Sequence, residues 1–181
     1  MLKNSDSHYG WVTILIHWLV AFTVFGLFAL GYWMVGLNYY SDWYRTAPHW
    51  HKSIGILLFM LMIFRIFWRF LTPMPRPHST HKRWEKISGH LVHMLIYLLI
   101  FTVMLSGYLI STADGRPIIV FNWFEIPSLG LLFNNQSDIA GVIHRYAAYS
   151  LLGLAILHGL AAMKHHVIDK DSTLKRMLGR S

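Results

Sequence analysis

The chain of 181 residues contains no cysteine. That absence removes thiolate-held iron–sulfur clusters, cysteine zinc sites, disulfides and covalently attached c-type haem, so any redox or metal centre must use other ligands. Charge is also scarce. Asp, Glu, Lys and Arg make up 13% of the residues, about half the share usual in soluble domains. Only eight residues are acidic, and none lies in the middle of an apolar run. This counts against a non-redox metal transporter, which needs carboxylates near the bilayer midplane.

What is present is apolar: 55% hydrophobic and 15% aromatic. Four runs stand out. Trp11 to Val35 and His90 to Ile110 carry no charge. Ser53 to Phe64 is uncharged and continues through Arg65 and Arg69 to Phe70, and Tyr146 to Met163 is uncharged with a lead-in from Ile139. A bilayer core of about 30 Å needs roughly 20 helical residues. Buried helices of a soluble bundle would show polar faces that these runs lack. The expected fold is an all-α membrane protein, a four-transmembrane-helix bundle with helices over about 11–35, 50–70, 87–110 and 139–165 and a short tail over 166–181, with 1–181 forming one transmembrane domain. The first run is too long for the apolar region of a signal peptide and has no small-residue cleavage site after it, so it is expected to stay as a signal-anchor helix.

If the amino terminus, the loop after the second helix and the tail share one side, that side holds twelve of the sixteen basic residues, leaving Arg45, Lys52, Arg116 and Arg145 for the other. The positive-inside rule then places both termini in the cytoplasm. The net charge of +8 is explained by basic residues beside anionic headgroups and calls for no nucleic acid. The inner loop carries Pro73, Pro75 and Pro77, which favour an extended strut. The longest connection, 111–138, is broken by Gly115, Pro117, Pro127 and Gly130, and its Phe121, Trp123 and Phe124 suit the outer interface. Ile168 to Met177 is read as a short amphipathic turn on the inner surface. No internal repeat is visible.

Twelve histidines dominate the chemistry, because neutral imidazole suits iron and an intramembrane ionisable group points to function. His144 and His158 are fourteen residues apart on the fourth helix, about 40° short of four whole turns and about 21 Å apart along the axis, so they share one stripe. Ala147, Ala148, Ala155, Ala161 and Ala162 lie on that stripe and leave room for a flat macrocycle, although tight helix packing also favours small residues. By depth, His17 matches His158 on the inner side and His51 matches His144 on the outer side, with Gly55 clearing space one turn after His51. His93 competes with His17 as a ligand, or is a propionate partner; His90 lies one turn before it and His49 falls in the loop. His165 and His166 at the inner interface are candidates for a quinone headgroup, a propionate or a polar cap, and His8, His78 and His81 are expected to be solvated. Iron held by two imidazoles has both axial positions filled, which favours one-electron transfer over oxygen binding.

His17-Trp18-Leu19, His51-Lys52-Ser53-Ile54-Gly55, Gly89-His90-Leu91-Val92-His93 to Tyr97, His144, Leu157-His158, His165-His166 and Lys170-Asp171-Ser172-Thr173-Leu174 with Arg176-Met177 together resemble the bacterial cytochrome b561 family over nearly the whole chain. The resemblance implies a multi-pass protein of the bacterial inner membrane with two haem b groups, ligated by His17, His51, His144 and His158. It also implies electron exchange with ubiquinone or ubiquinol, and in one branch oxidoreductase activity that takes electrons from periplasmic superoxide. Three readings follow: superoxide-to-ubiquinone transfer, with Lys52 and Arg145 attracting the anion or pairing with haem propionates; quinol oxidation with a periplasmic redox protein as acceptor; and a cytochrome b anchor subunit of a larger dehydrogenase or hydrogenase. The 111–138 loop matches no motif of the family.

Overall fold

A computed structural model of the chain describes residues 1–6, 8–75 and 82–180. His78 and His81, expected to be solvated, lie outside the described residues, as do Arg76 and Pro77 of the inner loop. The fold class is all-α, with four helices long and apolar enough to cross a membrane: α1 (Trp11–Met34), α2 (Thr46–Leu71), α3 (Arg83–Thr112) and α4 (Gln136–Val167). A fifth, short helix, α5 (Thr173–Met177), closes the tail. Helices suit these runs because lipid offers no hydrogen bonds, and a helix satisfies its own backbone. Their surfaces invert the pattern of a soluble protein. Phe22 is 69% exposed, Phe67 60%, Leu98 59% and Leu157 62%, whereas the buried positions include polar Ser53, Ser106, Thr112 and Gln136.

Three spanning helices are longer than the apolar runs that announce them. α2 starts at Thr46, because Pro48 is tolerated in a first helical turn, where its missing N–H costs nothing. His49, assigned to the loop from sequence, is therefore helical. α3 starts at Arg83, where the Glu85 carboxylate accepts from the Lys82 backbone N–H at 2.9 Å and favours the positive end of the helix dipole. α4 starts at Gln136, a fully buried residue. Its amide accepts from Leu132 N–H at 2.8 Å and donates to the Leu109 carbonyl at 3.0 Å, satisfying two backbone groups of the preceding segments.

The chain divides into two compact units. One comprises Met1–Ala21, Leu61–Tyr97 and Gly153–Ser181; the other comprises Phe22–Met60 and Leu98–Leu152. In the first, Trp68 Nε1 donates to Thr13 Oγ1 at 3.1 Å, and Lys164 bridges Glu85 at 2.9 Å. In the second, Phe28 meets Tyr149 and Phe59 meets Phe101 edge-on, at 5.3 and 5.8 Å between ring centroids.

The connection before α4, expected to be irregular, contains an antiparallel hairpin of β1 (Ile118–Val120) and β2 (Phe124–Ile126) in the second unit. Phe121 and Asn122 both adopt left-handed backbone (φ 45° and 59°), and Trp123 N–H donates to the Val120 carbonyl at 2.8 Å, the primed turn that suits a hairpin's twist. The hairpin is pinned to α2. Ser53 Oγ, wholly buried, accepts from Phe121 N–H at 3.1 Å, and the Phe121 ring packs edge-on against Trp50 and His49. At its far end, Tyr108 OH donates to the Pro127 carbonyl and accepts from Leu129 N–H.

Candidate functional site

The four histidines expected to act together fall into two pairs, one in each unit. In the first unit α1 presents His17 and α4 presents His158, with ring centroids 6.3 Å apart. In the second, α2 presents His51 and α4 presents His144, 6.2 Å apart. Both pairs have the same 69° angle between ring planes. Two imidazoles on opposite sides of one metal, each nitrogen ~2 Å from it, have centroids about 6 Å apart once each ring's half-width is added. His93 lies closer to His158, at 4.9 Å, too near to face it across a metal. It sits beside the pair, not opposite it.

The surroundings of the two pairs differ. His144 Nδ1 lies 2.8 Å from the Val103 carbonyl and 3.3 Å from Ser106 Oγ. A carbonyl only accepts, so Nδ1 carries the ring proton and Nε2 keeps its lone pair. This is the orientation by which proteins present histidine to a metal. His51 and His144 are also flanked by backbone without side chains. A Cβ added at Gly31 would lie 3.1 Å from His51 Cε1, and one at Gly107 would lie 3.1 Å from His144 Cε1. Gly55, expected to clear this space, has nothing within 4 Å of its Cβ position. His51 Nδ1 is buried with no hydrogen-bond partner among the described residues.

The first-unit pair is bordered by charge. Arg65 reaches from α2, with Nη2 3.3 Å from His17 Nδ1 and Nε donating to Tyr97 OH at 2.8 Å. Its Nη1 is buried without a partner among the described residues. Arginine only donates, so His17 Nδ1 accepts, and a neutral ring then holds its proton on Nε2.

The remaining candidates are placed as follows. Lys52 and Arg145, which follow His51 and His144 directly, are exposed. His165 is held by carboxylates, with Nδ1 2.7 Å from Asp169 and 3.4 Å from Asp171. Glu85, His165 and Asp169 bring three ligand-type groups together, but Lys164 Nζ already lies 2.9 Å from Glu85 and 2.7 Å from Asp169. An ammonium thus supplies the cation these groups attract. His166 Nδ1 is buried without a hydrogen-bond partner among the described residues.

Sequence reasoning missed Gly31, Gly107 and Arg65. Arg65 does carry a signal in the sequence, a charge inside an apolar run. The glycines carry no such mark, because only the packed structure shows which helix backbone meets an imidazole.

The model of the family described as prokaryotic cytochrome b561 matches residues 8–180. The chain belongs to that family. It is 48% identical over 178 residues to cytochrome b561 homolog 2 of Escherichia coli (strain K12), covering 98% of this chain and 95% of that protein. It is 30% identical over 186 residues to the probable superoxide oxidase CybB of Yersinia pestis, covering 94% and 95%. It is 24% identical over 181 residues to cytochrome b561 homolog 1 of E. coli, covering 98% and 97%. The chain is thus a multi-pass, inner-membrane electron-transfer protein of the cytochrome b561 family.

Proposed function

We propose that this cytochrome b561 binds two b-type haems, one between His17 and His158 and one between His51 and His144, and passes single electrons from superoxide at one membrane face to ubiquinone at the other. The observation that carries this reading is the spacing of the two imidazole pairs, 6.3 and 6.2 Å at a common 69°, which suits one metal between each pair and suits His17 better than His93 as the partner of His158. The donor set fits: neutral nitrogen ligands, a fixed tautomer at His144, and glycine backbone at the rings of His51 and His144. His17 with His158, and His51 with His144, would each hold one haem, which would supply reversible one-electron chemistry.

The protein's own residues orient, solvate and steer. The Val103 carbonyl holds the His144 proton on Nδ1. Arg65 is the cation that a haem carboxylate would meet, and its Nη1, which has no partner among the described residues, is the end available for that contact. With Arg65 drawn to such a carboxylate, His17 would be able to carry its ring proton on Nδ1 and offer Nε2 as the ligand nitrogen. Lys52 and Arg145 form a positive rim that draws an anionic reactant. In the overall reaction two superoxide anions each lose one electron to become dioxygen, and ubiquinone takes two electrons and two protons to become ubiquinol. His93, His165 and His166 are the histidines we assign to the quinone side. By the positive-inside rule that side and both termini are cytoplasmic.

The relative at 48% identity is named only as a cytochrome, which favours a second reading: quinol reduces the haems and a periplasmic redox protein accepts the electrons. Stopped-flow mixing of the purified protein with superoxide separates the two. Rapid haem reduction, slowing as ionic strength rises, supports superoxide oxidation. Reduction by a ubiquinol analogue alone, with no response to superoxide, removes it and leaves the carrier. A pyridine haemochrome assay showing fewer than two b haems per chain would count against both.

A further inference from the structure

The two chain ends meet in a joint that electron transfer does not explain. From the amino-terminal side, Asn4 acts as a clamp. Its Oδ1 accepts from Gly10 N–H and Thr13 Oγ1, both at 2.8 Å, and its Nδ2 donates to the Pro73 carbonyl at 3.1 Å. Trp11 N–H donates to the Met1 carbonyl at 3.2 Å. A Cβ at Gly10 would lie 2.3 Å from the Leu2 carbonyl oxygen, so only glycine lets this segment fold back on itself. From the other side, the Met177 carbonyl accepts from Trp18 Nε1 at 2.8 Å. Gly179, at φ 71°, lies against the Trp11 ring, 3.0 Å from its added Cβ to Cη2. The family-like tail motif therefore docks on α1.

Between the two segments lies a cavity of about 210 Å³, room for about seven waters. Lys3, His8, Arg176 and Arg180 line its polar part, and Trp11 and Ile14 its apolar part; no acidic residue lines it among the described residues. Lys3 and Arg180 form no ion pair with a described residue. From the rim, Trp11, Leu15 and Leu19 continue along α1 at four-residue spacing, 56%, 63% and 47% exposed, one apolar stripe on the helix face. We propose that this joint binds the phosphate of an anionic membrane lipid, with Lys3, Arg176 and Arg180 around the headgroup and the acyl chains along the Trp11–Leu15–Leu19 stripe. The chemistry recognised is a phosphate or phosphodiester monoanion. The stripe leading from the rim favours the lipid over free phosphate, which has no apolar part to place there.

The test is native mass spectrometry of the full-length, haem-loaded protein exchanged into detergent with equal phosphatidylglycerol and phosphatidylcholine. Selective retention of one phosphatidylglycerol per chain is expected. At roughly fivefold per cation near a membrane surface, Lys3→Gln with Arg180→Gln should lower that retention about 25-fold, while Arg116→Gln, in the other unit, leaves it unchanged. Equal retention of both lipids, or no response to the double substitution, overturns the proposal. Displacement of the lipid by excess inorganic phosphate would make free phosphate the ligand and overturn the lipid assignment. If the double variant does not fold, salt decides: retention by the unmodified protein that does not weaken as ionic strength rises also overturns it.

Discussion

The His17–His158 and His51–His144 pairs have the same ring spacing and opposite settings. Around His51 and His144, side chains have been removed: Gly31 and Gly107 bring bare backbone to the rings, and a main-chain carbonyl orients His144. Around His17 and His158, groups have been added: Arg65, Tyr97 and His93 crowd the pair. The difference teaches that one imidazole geometry can be set in two different electrostatic surroundings. A neutral, close-packed pocket chiefly fixes position, whereas a cation beside a ligand changes the energy of every charge placed there. At an effective dielectric of about 20, a unit charge ~8 Å away is worth about 2 kcal/mol, far more than any difference in ring spacing here could supply.

Four experiments sharpen or break this contrast. The largest effect is expected from the histidines proposed as ligands. His144→Ala and His158→Ala should each remove one of two haems, with different residual spectra, as read by pyridine haemochrome and low-temperature absorbance. Loss of both haems from either variant would show one cooperative site in place of two separable ones. Next come the glycines. Gly107→Val places branched carbon against His144 and should empty the second-unit site while leaving the first occupied. A helix gains about 0.5 kcal/mol or less from that exchange through propensity, so a spectral loss without a drop in thermal stability would identify a local steric cause. Full occupancy would show that the close approach of Gly107 is incidental.

Arg65 is third. Arg65→Gln should lower the midpoint potential of the first-unit haem by tens of millivolts, on the order of 1–2 kcal/mol per electron, and Arg65→Lys should restore part of it. Redox titration in which both haems move equally would contradict the assignment of Arg65 to one pair. The smallest local effect belongs to Ser53. Ser53→Ala removes the acceptor of the Phe121 N–H and should cost about 1 kcal/mol, seen as faster hydrogen exchange at the hairpin with no change in the first unit. As a boundary for this series, Asp114 and Arg116 pair in the same connection. The hydrogen bond from Arg116 holds the Asp114 carboxyl below its usual range, so any contribution is present at neutral pH and is lost as pH falls through that lowered value. Both groups are solvent-facing, and Asp114→Asn should leave the thermal midpoint unchanged.

The four spans were legible because lipid demands long apolar runs, and the sequence carries them without ambiguity from Trp11 to Val35 and from His90 to Ile110. Histidine pairing was legible in part, because fourteen residues on a helix put His144 and His158 on one stripe. The helix ends were not. Pro48 reads as a loop residue until a helix begins before it, and Gln136 reads as polar surface until it is seen wholly buried between the Leu132 N–H and the Leu109 carbonyl. The hairpin was also hidden. Its strands are three residues each, too short for alternation to register, and its turn uses Phe121 where glycine or asparagine is the usual sign.

Phe121 makes a point about selection at a single position. Left-handed backbone costs an aromatic residue about 1–2 kcal/mol that glycine would avoid, yet its ring fills the space beside Trp50 and His49, one and two residues before His51. Where ease of turning and covering of the helix entrance ask for different amino acids, the covering has prevailed. A hairpin that tolerates the less comfortable residue at its tip is a wall first and a connector second.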